Sequence, residues 1–306
     1  MKNKGIVEML AAMTICGTIG ITVMTSGQTE VSLIFYRCLF GMIVLLGICF
    51  ARKYLNHKLI TSRLIMGSLI GGAALLGNWY FLFASYEKTS IGVATTIYNT
   101  QPIMMIILGS ILFKEKITAN IIIWTSVSLA GLLFISQMVG HDGIPNETSH
   151  YLIGVAQALI AAALYAVAAL YARILKGYPP TLIALFQMTL GAVALWPFAD
   201  LSMLISPTWD RQTFATVLLG VLHTGVMYIL LYGALQKIEA YRAASISFIY
   251  PALAIFIDSV FLGVTLSLDQ WAGIGLILLG AAGINLKWDV FRLLKKPTGV
   301  ETNGQS

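Results

Sequence analysis

The chain has 306 residues, of which 58% are hydrophobic and 10% are charged, and its formal net charge at pH 7 is +6. Because an ordinary soluble domain carries about 25% charged residues, this composition excludes such a domain and predicts a polytopic membrane protein. The positive charge then reflects where Lys and Arg lie relative to the membrane, and we predict no nucleic-acid partner.

Ten apolar segments follow one another along the chain, and each is long enough to cross a bilayer at about 1.5 Å of rise per residue. They cover residues 5–26, 31–51, 64–86, 91–113, 119–139, 151–174, 181–199, 212–236, 240–263 and 270–290. In this arrangement sixteen Lys and Arg residues fall on one side of the membrane, whereas only Lys88 and Arg211 fall on the other. Since basic residues favour the cytoplasmic side, both termini are predicted to be cytoplasmic.

The fourth and ninth segments match each other. Each carries a proline near its middle, Pro102 and Pro251, and the two prolines are 149 residues apart. The same offset relates glycines of the two halves, Gly5 with Gly154 and Gly131 with Gly280. Because each half holds five segments, an odd number, the second half must enter the membrane from the opposite side. Inverted halves of this kind place a substrate site near the membrane midplane between them.

The predicted fold is therefore an all-α integral membrane protein with ten transmembrane helices in two inverted five-helix repeats. The longest polar connection lies at the midpoint of the chain and marks the boundary between the halves. The predicted units are a first repeat at residues 1–140, an inter-repeat loop at 141–150, a second repeat at 151–290 and a cytoplasmic tail at 291–306.

Polar and aromatic residues precede both mid-helix prolines. A proline removes one backbone donor and clashes with the carbonyl four residues earlier, which kinks the helix and exposes that carbonyl. Polar groups at this depth are unfavourable unless they face protein or a watery cavity. We therefore expect a shared central cavity whose substrate-binding residues include Tyr98, Asn99, Gln101, Ser247 and Tyr250, with Pro102 and Pro251 in coupling or gating. A packing kink satisfied by Ser or Thr is the alternative.

Three further aromatic residues, Trp79, Tyr80 and Tyr228, are candidates for the cavity wall. Aromatic faces suit flat or cationic solutes, although an apolar contact between helices explains them equally well. His223 lies midway along the eighth segment and is a further candidate for the substrate site. It could shuttle protons, because imidazole titrates near neutral pH, or it could be a neutral ring bonded to a backbone carbonyl.

Two ionisable residues inside segments are candidates for coupling or gating. Asp258 in the ninth segment is a candidate proton-coupling or cation-binding carboxylate, because a charged side chain inside a membrane span is energetically unfavourable and usually has a function. It could instead pair with Arg37 in the second segment, or lie in water at the outer mouth. For Arg37 we favour a structural or gating role over substrate contact.

The segments, the inverted repeat and the prolines together resemble the EamA-type exporters of the drug/metabolite transporter superfamily. The similar motifs are FYRCLFG with Arg37, TIYNTQPIMMIILGSILFKEKIT with Glu115, SFIYPALAIFIDSVFLG and GIGLILLGAAGI. The second half departs from the pattern, because Val264 stands where Glu115 would have its acidic counterpart. The resemblance implies a bacterial inner-membrane carrier, usually an exporter of small metabolites, amino acids or drugs.

The expected function is secondary transport of a small solute by alternating access, with export first, driven by a proton gradient or by the solute's own gradient. Import of a nucleotide-sugar, choline-like or vitamin-like solute is the alternative within this class. An intramembrane lipid-modifying enzyme and a non-transporting scaffold are alternatives of other classes. The expected partners are the solute and the lipid bilayer, and a homodimer stays open.

The sequence contains no Walker A motif, no HExxH and no Cys/His spacing typical of a metal site. Its cysteines, Cys16, Cys38 and Cys49, lie inside apolar segments, as small buried hydrophobic residues do. We therefore predict a protein that is not an enzyme and that holds no cofactor and no metal.

Overall fold

A computed structural model of the protein describes residues 2–89, 91–136, 148–262 and 265–290. Regular structure in these ranges is helical, with one isolated bridge between Lys176 and Tyr178. The α-helices are α1 (Lys2–Gly17), α2 (Ile19–Ser26), α3 (Glu30–Ala51), α4 (Ser62–Tyr86), α5 (Ile91–Tyr98), α6 (Gln101–Phe113), α7 (Ala119–Ser136), α8 (Thr148–Ile174), α9 (Pro180–Leu195), α10 (Ser202–Ile205), α11 (Arg211–Gly220), α12 (Met227–Leu235), α13 (Ala240–Ser247), α14 (Ile249–Leu262) and α15 (Leu268–Asn285). A π-helical segment, Val221–Val226, joins α11 to α12.

Eight helical spans in the described part of the chain are long and apolar enough to cross a membrane. A ninth apolar helix, Ala119–Ile135, is shorter, and α15 covers the tenth predicted segment. The predicted all-α membrane architecture is thus confirmed. The inter-repeat loop and the tail fall largely on residues 137–147 and 291–306, outside the described residues, so the predicted unit boundaries stay a prediction.

Several helix ends are set by local chemistry rather than by hydropathy. The hydroxyl of Thr61 accepts from the backbone N–H of Leu64 and begins α4, and Ser267 and Gln270 form a reciprocal capping box at α15. Gly27 ends α2 in a left-handed conformation with φ of 60°, which glycine adopts without a steric penalty. These short turns hold consecutive spans antiparallel.

The packing of helices repeats between the two halves. The second span packs on the seventh (α3 on α9), the fourth on the ninth (α6 on α13) and the fifth on the tenth (α7 on α15). The third span packs on the sixth (α4 on α8), just as the first packs on the eighth (α1 on α12). Exchanging the two halves leaves the first three contacts unchanged and converts the last two into each other. An inverted repeat requires this symmetry.

One pair of glycine contacts shows this symmetry at atomic detail. A Cβ added at Gly131 would lie 2.6 Å from the carbonyl oxygen of Gly273, and one added at Gly280 would lie 2.6 Å from that of Trp124. Gly131 and Gly280 are 149 residues apart, and so are Trp124 and Gly273. The same backbone approach therefore occurs twice between α7 and α15, and it requires glycine because any side chain would clash.

Both proline helices are broken at equivalent positions. The helix before Pro102 ends at Tyr98, and the helix before Pro251 ends at Ser247. Tyr98 and Ser247 are the residues four positions before each proline, whose carbonyl the proline ring displaces. The predicted kinks are therefore present, and they lie 149 residues apart.

Candidate functional site

The two helix breaks face each other in the interior of the bundle. Asn99 lies in the break between α5 and α6, and Tyr250 lies in the first turn of α14. The Tyr250 hydroxyl donates a hydrogen bond to Oδ1 of Asn99. Asn99 is free to present its amide there because the break leaves it outside both helices. A side-chain hydrogen bond thus joins the two matching spans at their kinks.

Aromatic residues surround this bond. The ring of Tyr98 meets that of Tyr165 edge to face, with centroids 6.2 Å apart. The polar groups of Tyr98, Tyr165, Tyr228, Tyr250 and Cys16 lie close enough to interact electrostatically. We call these five residues together with Asn99 the central cluster. Its side chains come from the first, fourth, sixth, eighth and ninth spans, so both halves contribute.

Two side chains of the central cluster keep partial exposure, from which we infer a hollow beside the cluster. Cys16 is half-buried, although Ala12 and Met13 before it on α1 are 0% and 2% exposed. Tyr165 is also half-buried, although Ala162 and Ala166 on the same face of α8 are fully enclosed. Partial exposure on the inward faces of two helices indicates a space between them.

The residues around the two prolines point into protein rather than into lipid. Gln101 is 3% exposed and Ser247 is 1% exposed, and Pro102 and Pro251 are buried as well. Ser247 donates to the carbonyl of Ala243 at 3.0 Å, which satisfies it within its own helix. The Oε1 atom of Gln101 is enclosed and meets no donor in the described part of the chain.

Trp79 is 8% exposed and carries the guanidinium of Arg37 over its ring, with 5.2 Å between the guanidinium carbon and the ring centroid. The Nε of Arg37 also donates to the hydroxyl of Thr224 at 3.3 Å. Asp258 lies in α14, but its side chain falls outside the described residues, so the predicted pairing with Arg37 stays a prediction.

His223 is enclosed by protein, at 1% exposure, within the π-helical segment of the eighth span. Its Nε2 lies 2.8 Å from the hydroxyl of Thr18, and its Nδ1 lies 3.4 Å from the carbonyl oxygen of Leu218. The Thr18 hydroxyl donates its own proton to the carbonyl oxygen of Ile15 at 2.8 Å, so its oxygen can accept from Nε2–H of His223. His223 is thus bonded within the protein, and its place in the substrate site stays a prediction.

Tyr80 does not belong to the wall of the hollow, which corrects the expectation from the sequence. Its side chain is 68% exposed, on the same face of α4 as Met66 at 59% and Ile70 at 43%. The opposite face of α4 packs on α8, where Asn78 donates to the carbonyl of Ala161 at 3.0 Å. Neighbouring aromatic residues at positions 79 and 80 cannot face the same side of a helix, and only Trp79 faces inward.

Two members of the central cluster were missed by reasoning from sequence. Tyr165 lies beside a stripe of enclosed alanines on α8, Ala158, Ala162 and Ala166. Cys16 was treated as a buried hydrophobic residue. An aromatic residue next to a stripe of small residues on an inward face would have been the available signal for Tyr165.

Two ion pairs join the two halves at one end of the bundle, which we call the ion-pair end. Lys237 donates to the carboxylate of Glu8, with 2.6 Å between Nζ and Oε1. Arg173 donates to Glu115, whose carboxylate oxygens both lie 3.1 Å from the backbone nitrogen of Ala240 at the start of α13. Glu115 therefore caps a helix of the other half instead of pairing with the adjacent Lys114 and Lys116, because the orphan N–H groups there favour a carboxylate.

The described residues contain no group of three or more His, Cys, Asp or Glu side chains placed to hold a metal ion. The central cluster consists instead of hydroxyl, amide, thiol and aromatic groups without a formal charge. Such a surface can bind a small solute through hydrogen bonds and ring contacts.

A family model described as the EamA-like transporter family matches this chain twice, over residues 3–137 and 152–286. A protein of Bacillus subtilis (strain 168) named an uncharacterized transporter is 30% identical over 289 residues, which cover 92% of this chain and 89% of that protein. An uncharacterized transporter of Archaeoglobus fulgidus is 26% identical over 245 residues, with 79% of this chain and 82% of that protein covered.

A solved crystal structure of another protein has the same fold. It matches 96% of this chain and 100% of its own chain with a TM-score of 0.80, at 18% sequence identity.

Proposed function

This chain belongs to the EamA-like transporter family and is a multi-pass membrane transporter, and on that premise we propose how it carries its solute. It moves a small organic solute through the central cluster by alternating access. The observation that carries this proposal is the Tyr250–Asn99 hydrogen bond, which joins the two kinked spans beside the hollow. A kink at each matching span provides a hinge on both sides of one site.

The closed ion-pair end supports alternating access. Glu8 and Lys237 pair there, and the residues 149 positions away from each in the sequence are Gln157 and Lys88. The backbone approach is symmetric, because a Cβ at Gly5 would lie 2.9 Å from Cβ of Lys237 and one at Gly154 would lie 2.8 Å from Cβ of Lys88.

The side-chain pairing is not symmetric. The Oε1 of Gln157 is enclosed and has no hydrogen-bond partner in the described part of the chain, and Lys88 donates instead to the carbonyl of Ala84 at 3.4 Å. The two ends of the bundle are therefore held differently in this structure, as two alternating states of an inverted repeat require. We expect the Lys88–Gln157 contact to form when the ion-pair end opens.

The proposed location is the bacterial inner membrane, with the ion-pair end and both termini in the cytoplasm, because most Lys and Arg residues flank that side. The proposed direction is export of an amino acid or a related metabolite, which rests on the family resemblance. A proton gradient or the solute's own gradient supplies the energy. The proposal includes no enzymatic step and no cofactor.

Solute flux tests this proposal. Vesicles containing the purified chain are loaded with a mixture of amino acids, nucleosides and quaternary amines, and the external medium is followed by mass spectrometry. At least one solute should leave faster than from protein-free vesicles. Replacing Asn99 by Leu should abolish that flux by removing the amide that Tyr250 bonds, whereas replacing the outward-facing Tyr80 by Leu should leave it unchanged. Flux equal to that of protein-free vesicles for every solute, or flux undiminished by Asn99→Leu, would contradict the proposal.

A further inference from the structure

Arg37 is a deeply buried cation. It lies in α3, seven residues after the helix begins at Glu30, and only 9% of its surface is exposed. A guanidinium stays charged in a protein under all ordinary conditions. A charge at this depth in a membrane is penalised unless a partner compensates it. The question is therefore which negative group balances Arg37.

The contacts of Arg37 with side chains that the structure describes carry no negative charge. Its Nε donates to the Thr224 hydroxyl, and its plane lies over the ring of Trp79. Thr224 in turn donates to the carbonyl of Leu219 at 2.9 Å, so its hydroxyl proton is already engaged. Among the side chains that the structure describes, no carboxylate lies within ion-pair distance of Arg37.

Other buried arginines differ from Arg37 in this respect. Arg242, at 6% exposure, lies 3.3 Å from the carboxylate of Glu239, and Arg173 pairs with Glu115. The terminal nitrogens of Arg37 meet no acceptor in the described ranges, yet neither of them is an enclosed atom. The unpaired donors of Arg37 therefore reach accessible space.

That space adjoins the central cluster. Thr224, which accepts from Nε of Arg37, lies four residues before Tyr228 on the eighth span. Trp79 under the guanidinium follows Asn78, whose Oδ1 lies 3.5 Å from the Tyr98 hydroxyl. Arg37 therefore lies beside the central cluster.

We propose that Arg37 binds the acid group of the transported solute, which makes the solute an organic carboxylate. This inference rests on the proposed transport function and names its substrate class. A planar fork of N–H donors matches a carboxylate in two parallel hydrogen bonds. A positive charge that no described carboxylate balances calls for one negative charge on the solute, and the tyrosine rings and the Asn99 amide contact the rest of the solute. Arg37 is thus a specificity-determining residue.

Matched acid and amide pairs test the inference. The thermal stability of the purified full chain is measured with phenylacetate and phenylacetamide, with 3-phenylpropanoate and its amide, and with hexanoate and its amide. A solute that binds the folded state raises the apparent stability. At least one acid should stabilise the protein more than its amide does. Replacing Arg37 by Gln should weaken binding of that acid by roughly 10- to 100-fold and binding of the amide by less than about twofold.

Control variants separate charge recognition from general damage. Arg37→Lys keeps the charge without the fork and should retain part of the preference for the acid, even if the Gln variant does not fold. Arg242→Gln removes a buried arginine elsewhere and should lower stability without changing the ratio of acid to amide binding. Asp258→Asn should also leave that ratio unchanged.

The contrary results are distinct. Acids that bind no better than their amides, or that do not bind at all, would overturn the inference, as would a strong change in the ratio caused by Asp258→Asn. Transport of uncharged or cationic solutes in the vesicle assay would then leave the proposed function standing. A complete absence of flux would refute the transport proposal by itself, whatever the acid and amide pairs show.

Discussion

Exchanging the side chains of Glu8 and Gln157 is expected to reverse which end of the bundle is held closed. These residues occupy equivalent positions in the two halves, 149 residues apart. Glu8 pairs with Lys237, whereas Gln157 faces Lys88 without a hydrogen bond to its Oε1. The double variant Glu8→Gln, Gln157→Glu removes the ion pair from one end and allows an ion pair at the other, with no change in net charge.

The expected shift in the equilibrium between open and closed states follows from the exposure of the Glu8–Lys237 ion pair. The side chains of Lys237 and Glu8 are 24% and 16% exposed. Pairs on a protein surface contribute about 0–1 kcal/mol, and breaking a fully buried pair is unfavourable by about 3–5 kcal/mol. A partly exposed pair should therefore contribute about 1–2 kcal/mol, which is a factor of about 5–30 in the equilibrium between open and closed states.

Cysteine accessibility measures this shift. In a chain whose three native cysteines are replaced by alanine, a single cysteine is placed at Ala12 or at Ala161, which are fully buried and 149 residues apart. In the exchanged variant, a water-soluble methanethiosulfonate should label position 12 about 5–30 times faster, and position 161 more slowly. Glu87→Gln, which removes an exposed carboxylate, should change neither rate. Unchanged labelling at both positions in the exchanged variant would refute the reasoning.

Three further predictions concern packing, the central hydrogen bond and pH. Gly131→Ala should lower stability by about 1–3 kcal/mol in thermal unfolding, because the new Cβ would clash with a backbone oxygen; Gly47→Ala, with nothing within 4 Å, should not. Tyr250→Phe should slow vesicle flux up to about tenfold, because it leaves the Asn99 amide without its donor; undiminished flux would argue against the site. A backbone N–H at the start of α11 holds the pKa of Asp210 below its usual value. Its stabilising effect should therefore be present above pH about 4 and disappear on further acidification. The difference in unfolding temperature between the wild type and Asp210→Ala should vanish well below that pH. A difference that persists at low pH would contradict this prediction.

The helices and their breaks were predictable because each depends on local chemistry. Hydropathy identifies a membrane-spanning segment such as 119–139 whatever it packs against. Pro102 and Pro251 determine where the helical backbone hydrogen bonds are interrupted. The inverted arrangement followed from counting five segments in each half. These features need no knowledge of which helices are neighbours.

The partners of individual side chains could not be predicted in the same way. The sequence does not show that Tyr250 reaches Asn99, because that contact depends on how two distant spans are rotated about their axes. The same uncertainty led to Tyr80 being placed beside Trp79 in the wall, and to Tyr165 being missed. Glu115 lies between Lys114 and Lys116 in the sequence, but the turn after α6 directs it to the other half.

The central claim is that the polar groups at the two kinks face a water-filled hollow, and thiol labelling of its wall tests this most directly. Cys16, and a cysteine introduced at Tyr165 in a chain without other cysteines, should both react with a water-soluble methanethiosulfonate in intact vesicles. A cysteine at Tyr80 should react only with a membrane-soluble reagent, and the enclosed Cys38 with neither. If positions 16 and 165 resist the water-soluble reagent as Cys38 does, the centre of the bundle is solid and the account is wrong.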